Sequence, residues 1–141
     1  VFNGQQIQAW GGPGQGTQTI AGETWRSYIA TPPFAEYTSG HSTFSAASAQ
    51  VLRLFTSSDA LGLSVSFAPG SSTIEPNVTP AQTVVLSWPT FTAAAQEAGI
   101  SRVYGGIHFS DGNLNGQAAG TAVGQQVYDR AMEYINGTAV P

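Results

Sequence analysis

The sequence predicts a mainly α-helical fold, part of a helical bundle with a small β-hairpin insertion and a long N-terminal loop layer. Three segments place apolar residues at the three- and four-residue spacing of an amphipathic helix, and two short β-like segments stand between the first and the second of them. The first 33 residues are rich in glycine and have no helical period. We therefore expect a loop layer over 1–33 and a helical core over 34–141, with the hairpin near 63–88.

The first predicted helix runs from Ser42 to about Thr56, so His41 would lie at its first turn. Its apolar positions are three or four residues apart and would form one buried face. They are Phe44, Ala47, Val51 and Leu54. Residues 63–68 and 83–88 are β-like and are separated by a stretch rich in Pro, Gly and Ser, which predicts the hairpin.

The second predicted helix runs from Thr90 to about Arg102, and Gly105-Gly106 ends it, so that His108 falls on a turn. Its expected apolar face consists of Phe91, Ala94, Ala95 and Ala98. A last helix is predicted from about Leu114 to Ile135. Its apolar stripe comprises Ala118, Ala122, Val123, Val127, Ala131, Tyr134 and Ile135.

The composition excludes several classes of protein. Charged residues make up 9%, the net charge is −4 and all four basic residues are arginines, so the basic surface that binds nucleic acid is absent. The lack of cysteine excludes disulfides and thiolate metal sites. No stretch approaches the ~20 apolar residues of a membrane span. Two N-x-S/T sequons, at Asn77 and Asn136, would be glycosylated only in a eukaryotic secretory route.

Thr38-Ser39-Gly40-His41 stands directly before a predicted helix. The free backbone N–H groups and the positive dipole end of a helix N-terminus favour an oxyanion. Ser39 adds a hydroxyl donor, Gly40 permits close approach of the backbone, and His41 can exchange protons near neutral pH. This segment predicts an oxyanion site. The plainer interpretation of such a histidine, taken singly, is a capping or exposed loop residue.

A second pair of residues favours the same chemistry. Arg102 offers a planar guanidinium that can hold two oxygens at once, and His108 follows six residues later on a glycine-rich turn. Arg102 alone would more often be a surface ion-pair partner. The carboxylates of Glu23, Glu36, Asp59, Glu75 and Glu97 are interpreted as helix caps or solvated groups.

The segments TPPFAEYTSGHSTFSAA (31–47), SRVYGGIHFSDG (101–112) and AWGGPGQGT (9–17) resemble the C-terminal half of a vanadium-dependent haloperoxidase, in the superfamily shared with acid and lipid phosphate phosphatases. The resemblance implies that His108 binds vanadium axially, and that Arg102, Ser39 and the N–H of Gly40 hold the equatorial oxygens of vanadate. It also implies that His41 is the acid–base histidine. Asp111 would orient His108, although it stands three residues after the histidine where the family pattern has four.

The resemblance implies vanadate as cofactor, with phosphate as an alternative occupant, and hydrogen peroxide and halide as reactants. Members of the family carry an additional lysine and an arginine-proline pair upstream, whereas this chain contains no lysine. Together with the start at Val1, this absence favours a companion chain that supplies the N-terminal half. Two alternatives stay open: a phosphatase acting through a phosphohistidine, and a non-catalytic structural or assembly protein. An extracellular or periplasmic location and a homo-oligomer are further expectations.

Overall fold

A computed structural model describes residues 3–140. The elements within this range are β1 (Gln6–Trp10), β2 (Thr17–Ala21), a short 3-10 turn (Gly22–Thr24), α1 (Gly40–Thr56), β3 (Ala60–Phe67), β4 (Val84–Thr90), α2 (Phe91–Tyr104) and α3 (Ser110–Ile135). The mainly α class and the hairpin between the first two helices are confirmed. Helix α3 begins four residues earlier than predicted, which places Asp111 in its first turn.

The chain forms two compact units. The first contains the described residues up to Pro32 together with Ser64–Leu86, and the second contains Pro33–Leu63 and the chain from Ser87 onward. Strands β3 and β4 pair in a two-stranded sheet. None of the helices among residues 3–140 is both long enough and apolar enough to cross a bilayer.

The first unit contains a hairpin that the sequence analysis missed. Strands β1 and β2 are antiparallel, with Gln6 opposite Ala21 and Trp10 opposite Thr17. The turn between them is closed by a hydrogen bond from Gly11 N to Gly16 O of 2.9 Å. The expectation of a loop layer over 1–33 was therefore incomplete: positions 6–9 of β1 alternate polar and apolar residues, whereas the residues of β2 do not.

Glu75 ties together the loops of the first unit. Its side chain accepts hydrogen bonds from Trp10 Nε1 (3.2 Å), Gly14 N (3.1 Å) and Tyr28 Oη (3.2 Å). The Trp10 and Tyr28 rings also meet edge to face, with centroids 5.0 Å apart. The interpretation of Glu75 as a cap or a solvated carboxylate is wrong, since the residue is 8% exposed and its donors come from distant parts of the chain.

In the second unit, α1 lies against α3 through small residues. The buried residues of α1 are Ser42, Ala46 and Ala49. Those of α3 are Gly112, Asn113, Gly116, Gly120 and Gly124. A Cβ at Gly124 would lie 2.5 Å from the backbone oxygen of Ala47, and a Cβ at Gly120 would collide with the carbonyl group of Thr43. The two helices can therefore approach closely only because glycine has no side chain at these positions.

The predicted apolar faces of α1 and α3 are in part exposed. Phe44 is 77% exposed, and on α3 Val127 is 55% and Ile135 is 74% exposed. The whole predicted stripe of α3 is exposed in this chain. The core assignment is wrong for Phe44 and for the stripe of α3, whereas the other three predicted residues of α1 are half-buried. Periodicity selects the largest apolar residues, but the contact between α1 and α3 is made by the smallest ones. On α2 the prediction agrees better, with Ala95 buried and its apolar neighbours half-buried.

Candidate oxyanion-binding site

Ser39 caps α1 and is itself held by α3. Its backbone is extended, its Oγ accepts a hydrogen bond from Ser42 N (3.3 Å), and its carbonyl oxygen accepts one from Thr43 N (3.0 Å). Its own N–H donates to the carbonyl oxygen of Gly112 (3.0 Å). A serine at this position satisfies an N–H group of the first turn that would otherwise lack an acceptor. The helix start is thereby fixed in position.

The first turn of α1 has free donors. Within residues 3–140, the N–H groups of Gly40 and His41 donate to no protein acceptor. A Cβ at Gly40 would meet nothing within 4 Å, so there is open space beside the Cα of this residue. Ser39 is completely buried; its Oγ accepts a hydrogen bond, and its hydroxyl hydrogen donates to no acceptor among residues 3–140. These features suit an oxyanion.

Arg102, in the last turn of α2, makes no ion pair with any described residue. Its Nε donates to Ser101 Oγ at 3.1 Å, and its two terminal nitrogens have no acceptor among residues 3–140. Arg53 and Arg130, in contrast, each pair with a carboxylate. Arg102 is half-buried and is not the surface ion-pair partner of the plainer interpretation. Its guanidinium fork is free to bind an anion.

His108 lies on the turn between α2 and α3, as predicted. Gly106 adopts a φ of +75°, and Ile107 N donates to Arg102 O at 3.2 Å, which links the turn to the arginine. The imidazole is almost completely buried, with 1% of its side chain exposed. Its Nδ1 lies 3.5 Å from Oε1 of Glu36 and has no hydrogen-bond partner among the described residues.

The structure brings His41, Arg102 and His108 together. Burial lowers the pKa of His41 below its ordinary value, and the neighbouring basic groups Arg102 and then His108 lower it further. These charge effects require the three side chains to lie near one another. Arg102 and His108, from two other parts of the sequence, are therefore near enough to His41 in the second unit to influence its pKa.

The carboxylate beside His108 is that of Glu36, not that of Asp111. Asp111 is exposed in the first turn of α3, and Glu36 supplies the one carboxylate among residues 3–140 within ion-pair distance of His108. Oε1 of Glu36 also accepts a hydrogen bond from Phe109 N at 2.9 Å. The interpretation of Glu36 as a cap or a solvated residue is wrong. A signal was present, because Glu36 stands three residues before Ser39 in the segment that carries the first motif.

A buried polar cluster behind the first turn of α1 was also missed. Ser42 Oγ donates to Asn113 Oδ1 at 2.7 Å, and Gln117 Nε2 donates to the same oxygen at 2.9 Å. Ser42 and Asn113 are both buried. The cluster joins α1 to α3 next to Ser39. A sequence pattern cannot reveal it, because 71 residues separate Ser42 from Asn113.

The chain is similar to known proteins over almost its whole length. The family model described as the VCPO second helical-bundle domain matches residues 1–137. The chain belongs to the vanadium-dependent haloperoxidase family. It is similar to the crystal structure of an apo-type bacterial vanadium-dependent chloroperoxidase, with a TM-score of 0.93 and 30% identity over 99% of this chain. It is also similar to a holo-type bacterial chloroperoxidase, with a TM-score of 0.87 and 32% identity over 92% of this chain.

A third haloperoxidase structure, that of a bacterial vanadium-dependent iodoperoxidase, is 34% identical over 76% of this chain, with a TM-score of 0.56. The chain spans 30%, 27% and 23% of the apo-type, holo-type and iodoperoxidase chains respectively, which is less than a third of each. No curated protein matches the chain significantly. The resemblance drawn from the three sequence segments is thus confirmed at the level of the family.

The donor set fits the vanadate on which this haloperoxidase family depends. No cluster of three or more His, Asp or Glu that could hold a bare metal ion occurs in the part of the chain that the structure describes. The groups present are instead backbone N–H donors, a guanidinium whose two terminal nitrogens have no acceptor among residues 3–140, and a buried imidazole. These groups recognise the oxygens of an oxyanion and offer one nitrogen ligand, which is what vanadate requires.

Proposed function

We propose that this chain supplies the histidine-bearing part of the vanadate site in a haloperoxidase that oxidises halide with hydrogen peroxide. The observation that carries the proposal is the buried imidazole of His108, on a turn that is hydrogen-bonded to Arg102 O, in the same unit as the free N–H groups at the start of α1. Membership of the haloperoxidase family supports it. Because the chain spans less than a third of the length of its solved relatives, we propose halide oxidation for the whole enzyme and not for this chain alone.

Each residue of the site has a separate task in this scheme. Nε2 of His108 would hold the vanadium, and Arg102, the N–H of Gly40 and the hydroxyl of Ser39 would hold the oxygens. Bound vanadate supplies a Lewis-acidic centre that activates hydrogen peroxide toward halide. The lowered pKa of His41 keeps its imidazole neutral near neutral pH, so that it can accept a proton from incoming peroxide.

One cationic side chain is too few for the charge of vanadate. Arg102 is the one arginine of the described site, and the chain contains no lysine. Additional positive charge is needed to stabilise the charge that develops during the reaction. We therefore propose that a companion segment, on the same polypeptide or on another, supplies a lysine and a second arginine to the same oxyanion.

Phosphate is the alternative occupant because it shares the charge and the shape of vanadate. Every donor named above contacts oxygen except His108, whose Nε2 would attack phosphorus in a phosphatase of the same superfamily. The two reactions are distinguished by assay, since only the haloperoxidase needs hydrogen peroxide and halide.

Isothermal titration with orthovanadate, together with intact-mass analysis of every chain that co-purifies, tests the proposal. We expect vanadate binding by the wild type and its loss in His108→Ala, with an unchanged far-UV circular dichroism spectrum. Binding should be accompanied by peroxide-dependent bromination in the complete protein. Tight vanadate binding by a folded His108→Ala variant would contradict the assignment. Absence of binding by a wild type that purifies with no companion chain would instead favour a structural role for the chain.

A further inference from the structure

Glu36 makes two contacts with the turn that carries His108, and both involve the same carboxylate oxygen. Oε1 lies 3.5 Å from His108 Nδ1 and accepts the hydrogen bond from Phe109 N at 2.9 Å. We propose that Glu36 is a positioning residue that keeps the proton of the His108 ring on Nδ1, leaving the lone pair of Nε2 free for an oxyanion centre. The role of Nε2 rests on the proposed function.

The burial of Nδ1 supports this assignment. It is a buried side-chain atom without a hydrogen-bond partner, and a polar atom in that state is rare in proteins. A neutral imidazole carries its proton on one nitrogen and a lone pair on the other. A carboxylate oxygen attracts an N–H group and repels a lone pair. The position of Glu36 therefore favours the tautomer with the proton on Nδ1, and a small rotation of the ring would complete the hydrogen bond.

The carboxylate of Glu36 forms no ion pair with any other described basic residue. His108 is its one basic neighbour within ion-pair distance among residues 3–140. The side chain of Glu36 is 30% exposed, so it is partly withdrawn from water, which strengthens its effect on the ring. A histidine that binds a metal centre commonly donates its second N–H to such an outer carboxylate, which fixes the ring and raises its basicity.

Gly112 provides the space that Glu36 occupies. A Cβ at Gly112 would collide with Oε1 of Glu36 and would lie 3.0 Å from its carboxylate carbon. Gly112 is also the residue whose carbonyl oxygen accepts the hydrogen bond from Ser39 N. The start of α3 therefore holds both the carboxylate beside His108 and the helix start that bears the N–H donors.

Nitrogen-15 NMR of the vanadate-free protein at mildly alkaline pH tests the inference, since the tautomer of a histidine is read directly from its ring nitrogen shifts. The chain has only two histidines, so assignment is simple. We expect the proton on Nδ1 of His108 in the wild type and a mixture of tautomers in Glu36→Ala. Orthovanadate titration of Glu36→Ala should show affinity reduced by roughly 10-fold or more.

Three other variants sharpen the test. Glu36→Gln should keep the wild-type tautomer and most of the affinity, because its amide oxygen can accept from both Phe109 N and Nδ1. Asp111→Asn decides between the two carboxylates, and we expect no change of tautomer. Asp129→Asn removes an exposed charge from α3 about 27 Å along the helix from Asp111 and serves as the charge-matched control.

The inference is overturned if the wild type carries the proton on Nε2, if Glu36→Ala keeps the wild-type tautomer, or if only Asp111→Asn changes it. If Glu36→Ala does not fold, Gly112→Ala displaces the carboxylate without removing it. The same shift to mixed tautomers is then expected, and an unchanged tautomer contradicts the inference. A wild type that does not bind vanadate contradicts the proposed function, while the tautomer measurement still decides the role of Glu36.

Discussion

Replacement of Gly124 by alanine should destabilise the protein, although alanine is the better helix former. The added Cβ would lie 2.5 Å from Ala47 O and 3.1 Å from Ala47 Cα, where ordinary contacts are at least 3.4 Å. The distance from the Cβ to Ala47 O is 0.9 Å shorter than an ordinary contact (3.4 minus 2.5 Å). Both contacted atoms of Ala47 belong to the backbone of α1. The helices must therefore move apart. Overpacking of this kind costs ~3 kcal/mol at the upper end of its range, and the higher helix propensity of alanine offsets about 1 kcal/mol, leaving a net loss of about 2 kcal/mol.

Urea denaturation monitored by circular dichroism, with a thermal melt in parallel, measures this loss. For a chain of this size the loss corresponds to a decrease in melting temperature of roughly 5–8 °C. Gln126→Ala is the matched control, because Gln126 is exposed on the same helix, and its stability should change by less than about 0.5 kcal/mol. An unchanged or increased stability of Gly124→Ala would refute the argument that the glycine face sets the distance between α1 and α3.

Three other predictions concern the site and the first unit. Arg102→Lys should weaken orthovanadate binding by about 10-fold in isothermal titration, because an ammonium cannot bind two oxygens as a planar fork does; equal affinity would argue against a direct role for the guanidinium. Gly116→Ala should weaken vanadate binding more than Gly124→Ala does, since its Cβ would lie 2.9 Å from Ser39 O and displace the start of α1. The pKa of Glu75 is lowered, chiefly by the hydrogen bond from Gly14 N and then by that from Trp10. The ionised carboxylate therefore stabilises the fold above the ordinary pKa of 4.5. This stabilisation is lost as the pH falls through the lower pKa of the folded state. The wild type should therefore lose its stability advantage over Glu75→Gln on acidification, and a constant difference in urea midpoints would contradict this.

The elements of the fold that depend on neighbouring residues were predictable from sequence. The three helices, the hairpin between the first two and the turn that carries His108 follow from periodicity and from glycine positions, and they agree with the structure within a few residues. The cap at Ser39 was not predicted, because the helix was expected to begin at Ser42 and Ser39 was assigned only as a hydroxyl donor. The sequence segments that carry the resemblance were also sufficient to identify the family.

Only the tertiary structure decided which residues meet across long separations. The buried face of α3 is a row of glycines, since these let the backbone of α1 approach, and the apolar stripe that the pattern favoured is exposed in this chain. Glu36 and Glu75 have the same side chain, yet one contacts the turn of His108 and the other ties the loops of the first unit. Local propensity determines where a helix begins and ends. The partner of a buried polar group is instead determined by packing between segments that are distant in the sequence.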